Sequence, residues 1–209
     1  MNYLNLRLSA AMWSRVILLW LILSIGALVA GGGALWMGRF IQNNIRDELE
    51  SQQITFSPED QLSDEEREIP GMVENAGKPL TTGNQAQVYS ELILLHSREA
   101  AESAGYPGEV YATLGGVQRE LRAAVAAAEE SDDEAALEEA QAELTTVNNL
   151  RNTMLTASNL RGALLSAYGW DNVATGVTAA GVVILVLAVV FFALLVYEWR
   201  RGHLPPTEA

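Results

Sequence analysis

Two stretches of the chain carry no charged residue at all: 16–36 (VILLWLILSIGALVAGGGALW) and 173–197 (VATGVTAAGVVILVLAVVFFALLVY), 21 and 25 residues long. As helices rising about 1.5 Å per residue, each is long enough to cross roughly 30 Å of bilayer hydrocarbon. Backbone in hydrocarbon must satisfy its own hydrogen bonds, so a helix is the form such a run takes there. Trp13 and Trp36 bracket the first run, and Trp170 with Tyr168, then Tyr197 with Trp199, bracket the second. That is where amphipathic rings settle at a membrane interface. The predicted fold class is all-α: an integral membrane protein with two transmembrane helices and an exported helical bundle or hairpin domain. The expected divisions are an N-terminal end (1–15), a first span (16–36), an acidic helical domain (37–172), a second span (173–197) and a tail (198–209).

A cleaved signal peptide competes for the first run, because Arg7 and Arg15 precede it and Gly31, Gly32, Gly33 and Ala34 close it. A signal core holds only about 7–15 apolar residues. This run is longer and continues into an amphipathic stretch, which favours a retained anchor. Orientation is weakly marked by charge: Arg7, Arg15, Arg200 and Arg201 lie on the short ends, Arg39, Arg46 and Arg161 on the inner flanks. The simplest arrangement is a multi-pass protein of the cell membrane with both termini cytoplasmic.

Between the runs, 136 residues hold 24 acidic and 9 basic side chains, a net charge of −15. Such a surface repels phosphates, which excludes an electrostatic nucleic-acid interface. The absence of cysteine excludes disulfides, thiolate metal sites and cysteine nucleophiles.

Met37, Phe40, Ile41, Ile45 and Leu49 recur at helical spacing, so the first helix is expected to continue to about residue 52. Gln53 to Phe56 can be extended. Ser57 to Glu68, crowded with carboxylates, reads as a solvated connector, and Ile69-Pro70-Gly71 as a turn. Thr82 and Gln85 form a capping box ahead of a helix with Ala86, Tyr89, Leu92, Ile93, His96 and Ala100 on one face, stopping near Gly105. Pro107 suits the start of a short helix that Gly115 and Gly116 interrupt. Two Ala- and Glu-rich segments, 117–130 and 132–149, predict an antiparallel hairpin with a second capping box at Ser131 and Glu134. The second arm meets no proline before the second span.

His96 is the most tempting residue for chemistry. A lone imidazole is a poor metal site, since a catalytic zinc or iron needs about three converging ligands. His203, the other histidine, lies beyond the second span. A core histidine with satisfied ring nitrogens is the expectation, and an intersubunit metal site the alternative. The acidic run 129–134 lacks the spacing of a calcium loop and reads as a hairpin tip. No phosphate loop precedes Lys78, the sole lysine. No cofactor is implied. Gly26, Ala30 and Ala34, with Gly176, Ala180 and Gly181, offer small-xxx-small faces for close helix packing, within the chain or with another subunit.

Asn75-Ala76-Gly77-Lys78-Pro79, then Ala86, Ile93 and His96, then Arg151, Thr153, Ala157, Ser158, Leu160, Arg161 and Leu164 together resemble a family of small actinobacterial two-span membrane proteins of unknown function. The resemblance implies an AGK motif, an isoleucine and histidine on the next helix, and an R-x-T-x-x-x-A-S-x-L-R run entering the second span; residues 117–149 then stand as a hairpin insertion. Twelve arginines against one lysine agree with a GC-rich, actinobacterial source. Members often bear an automated label of aromatic ring-opening dioxygenase, yet extradiol ring opening needs two histidines and a carboxylate on one iron. The expectation is a non-catalytic accessory or scaffolding subunit in the lipid bilayer, docking on a membrane-protein partner or its own copies. The alternative is a sensor or ligand-binding module that signals through a separate protein.

Overall fold

The computed structural model describes residues 10–202; Arg7 and His203 lie outside them. Six α-helices follow in order: α1 (Ala10–Ser51), α2 (Asp64–Arg67), α3 (Met72–Asn75), α4 (Gly83–Ser103), α5 (Leu114–Glu130) and α6 (Glu134–Gly202). Among the described residues there is no strand, only an isolated antiparallel bridge between Thr55 and Pro79. The chain divides into two compact units, one from the segments up to Asn44 and from Asn172 on, the other from Ile45–Asp171.

In the first unit, α1 and α6 are both long and apolar enough to cross a membrane. Ser24, Gly31 and Gly38 are buried on α1, and Ala174, Gly181 and Ala188 on α6. Each series steps by seven, the period of a left-handed helix pair, and small side chains let the backbones close together. A Cβ on Gly31 would lie 2.8 Å from the Leu185 Cγ and 3.0 Å from the Gly181 carbonyl. One on Gly38 would strike the Thr178 hydroxyl and lie 2.9 Å from the Ala174 carbonyl. Gln42 Nε2 donates to Thr175 Oγ1 at 3.3 Å. The sequence-predicted small faces therefore split. Ala34 and Gly181 meet across the seam, whereas Gly26 and Gly176 have open space where a Cβ would stand, and Ala30 and Ala180 are exposed. The seam follows a step of seven, not of four.

In the second unit, one apolar cluster gathers Leu49, Phe56, Leu62, Met72, Leu80, Ala86, Leu92 and Leu164. The Phe56 and Tyr89 rings meet edge-on at 5.4 Å there. A second cluster joins Ala101, Leu114, Val147, Leu150 and Met154. Helices α4 and α6 contribute to both.

Three local expectations give way. Ser57 to Glu68 is mostly exposed, as a solvated connector would be, but it is not structureless: it holds a 3-10 turn (Glu59–Gln61) and α2, and buries Leu62. Ser63 and Glu66 form a reciprocal capping box, so some of these acidic residues shape the chain as well as solvate it. Residues 107–113 form turns and not a helix; α5 begins at Leu114 and runs through Gly115 and Gly116. Complete burial of Leu114 anchors that start. At the hairpin tip, Ser131 ends α5, its hydroxyl donating to the Ala128 carbonyl, and Asp133 caps α6 by accepting from the Ala136 N–H. Asp132, at a φ of 50°, makes the reversal between them.

Candidate functional site

Along α6, Val147, Leu150, Met154, Ala157, Arg161 and Leu164 succeed one another at alternating steps of three and four, the inward stripe of a helix. Ala157 and Arg161 break that stripe between the two apolar clusters. On α4 the matching break falls at His96 and Ser97, between Ile93, which packs on the first cluster, and Ala100, which packs on the second. The result is a cleft of about 440 Å³ between the helices. Ile93, Ala157 and Leu160 supply its apolar lining; His96, Ser97, Asn152, Thr153 and Thr156 supply its polar groups.

His96 is not the buried core histidine expected from its place on the helix face. Its side chain is 49% exposed, and its Nε2 lies 2.9 Å from Glu66 Oε1, a side chain only 14% exposed. Folding of the 57–68 segment explains the difference, since the α2 capping box places Glu66 over α4. The backbone N–H of Ser63 donates to Glu66 Oε2 at 2.9 Å. That hydrogen bond holds the Glu66 carboxyl below the usual carboxylate range; burial opposes it, and the His96 hydrogen bond and charge reinforce it. Because an ionised carboxylate only accepts, a neutral His96 keeps its hydrogen on Nε2 and leaves Nδ1 as an acceptor.

The other residues of the expected motifs fall into structural places. Gly77 has a φ of +71°, and its N–H donates to the Ser57 carbonyl, while the Lys78 carbonyl accepts from the Phe56 N–H. This AGK turn fastens 54–57 to 77–80. Arg151 lays its guanidinium 4.6 Å from the Tyr111 ring centre and donates to Gln118 at 2.5 Å, tying the 105–113 turn and α5 to α6. Arg161 donates to Glu91 at 3.2 Å. Ser158 is exposed and does not line the cleft. Sequence reasoning missed Glu66, whose signal was the Ser63-x-x-Glu66 spacing, and missed Asn152 and Thr156.

Groups for chemistry are sparse in the cleft. The Ser97 hydroxyl donates to the Leu94 carbonyl at 2.8 Å, not to His96, so these two side chains are not paired for nucleophilic attack. Among the described residues His96 and Glu66 are joined without a third ligand, a donor set that does not fit the iron implied by a ring-opening label. No group of three histidine, cysteine or acidic side chains placed to hold a metal occurs among the described residues. No family model, curated protein or solved structure matches the chain.

Proposed function

We propose that the chain is a two-span protein of the cell membrane, both termini cytoplasmic, whose exported domain acts without catalysis as an accessory subunit and docks a partner at the α4/α6 cleft. The observation that carries this reading is convergence. Ile93, His96, Thr153, Ala157 and Leu160, all among the residues that resemble the small actinobacterial family, line one cleft although they come from two distant helices. The net charge of −15 between the apolar runs adds a field that selects among partners.

A photo-crosslinking residue at Thr156, in the native membrane, is expected to give a discrete adduct. The same residue at exposed Glu139 should not, and Ala157→Leu, which fills the cleft, should abolish the Thr156 adduct. Equal adducts at both positions, or an adduct that survives Ala157→Leu, would remove the cleft from the docking reading. A ligand-binding module is the second reading. It draws on the cleft volume, which falls within the roughly 300–1,000 Å³ of small-molecule sites.

A further inference from the structure

We infer that the α4/α6 cleft takes a cationic nitrogen that still bears hydrogens: a primary ammonium on a short aliphatic chain, presented by a partner's lysine side chain or by a free amine. The inference rests on the binding role given to the cleft above and adds what enters it.

Three hydroxyls line the cleft, and each donates its proton along its own helix. Ser97 donates to the Leu94 carbonyl at 2.8 Å, Thr153 to Asn149 at 3.1 Å and Thr156 to Asn152 at 2.9 Å. A hydroxyl has one proton and two lone pairs, so each of these oxygens retains only accepting capacity. His96, with Nε2 engaged by Glu66, adds a further acceptor in its neutral form. With His96 neutral, the polar lining is therefore rich in acceptors, and the Asn152 amide is the side-chain donor left for a guest.

The make-up of the lining narrows the guest further. No lysine or arginine is in it, so with His96 neutral an anion would meet no cationic donor. It holds no phenylalanine, tyrosine or tryptophan ring either, so a quaternary ammonium would find neither the π face of a cation–π site nor any use for the acceptors. An ammonium with N–H groups satisfies the acceptors, its methylenes cover Ile93, Ala157 and Leu160, and the Glu66 carboxylate behind His96 supplies a nearby negative charge. The acidic domain favours approach of such a cation over a distance of about 8 Å at physiological salt.

The test is calorimetry on the full chain in nanodiscs at low salt, with four probes: n-butylammonium, Nα-acetyl-lysine N-methylamide, tetramethylammonium and butyrate. One or both primary amines should bind about tenfold or more tightly than tetramethylammonium and butyrate. Thr153→Val/Thr156→Val, which keeps shape and removes two acceptors, should weaken the amine about tenfold; Ser97→Ala serves the same purpose should the double variant not fold. Tighter binding of the lysine amide identifies a protein partner as the source, and tighter binding of n-butylammonium a free amine. Equal binding of butyrate or tetramethylammonium, no binding of either amine, or unchanged affinity after removal of the acceptors would overturn the inference. A Thr156 crosslink that forms while neither amine binds would sink this inference and leave the docking reading standing.

Discussion

Glu66 is the side chain on which the rim of the cleft turns, because it joins α2's capping box to His96 on α4. Its carboxyl is held below its ordinary value of 4.5, first by the Ser63 backbone N–H and then, against burial, by His96. A carboxyl whose folded pKa is depressed stabilises the fold at pH above its unfolded value, and that stability is lost as pH falls through the folded value. Thermal melts followed by helical circular dichroism should show the wild type losing stability on acidification below about pH 4.5. Glu66→Gln should be the less stable protein at pH 7 and lose less over the same acid range, its curve converging on the wild type. Parallel curves would mean that Glu66 is not ionised in the contact that the geometry shows. Gly83 is constrained differently, by space: a Cβ there would run into the Asp171 side chain, which sets how closely the start of α4 approaches α6.

At the scale of elements, the α1/α6 seam depends on what its side chains lack. Gly31→Leu would bring a branched side chain against Leu185 and the Gly181 carbonyl, where even a Cβ meets atoms at 2.8 and 3.0 Å. Overpacking of this kind costs about 1–3 kcal/mol. Gly26→Leu, placed in open space, should cost little by comparison. Steric trapping or denaturant titration of the two variants in the same detergent checks the contrast, and equal effects would contradict the seam. The helices of this seam were legible in sequence, since a charge-free run of 21 or 25 residues is a strong local signal. Which small residues met was not, because a step of four and a step of seven both fit the composition. The Thr82–Gln85 box was legible for a similar local reason, an apolar face following it at once. Ser63–Glu66 has the same form, yet only a four-residue helix follows it, and the surrounding acidic residues mask it. The cleft was half legible. His96 and Thr153 stood out as single residues, but the breaks in the α4 and α6 stripes become an open cleft only when two distant helices align, and no spacing within one helix reports that.

For the whole molecule, the proposed topology sets where reagents can reach. Cysteine at exposed Asp64 should react with an impermeant maleimide on intact cells, and cysteine at exposed Arg201 only after the membrane is opened. The reverse pattern would invert the orientation and move the acidic domain, with its cleft, to the cytoplasm. The heptad of small residues has one more consequence. Sliding α1 along α6 by seven residues, about 10.5 Å of helix rise, brings Gly31 opposite Ala174 and Ser24 opposite Gly181. The alignment is degenerate: small residues face small residues again, and steric fit along the seam is a poor ruler. What distinguishes the observed alignment is the contacts beside it: the Gln42–Thr175 hydrogen bond, the Thr178 side chain lodged against Gly38, and the Trp20 and Phe191 rings 5.8 Å apart. These side chains, more than the small residues, fix which of the two alignments the seam adopts.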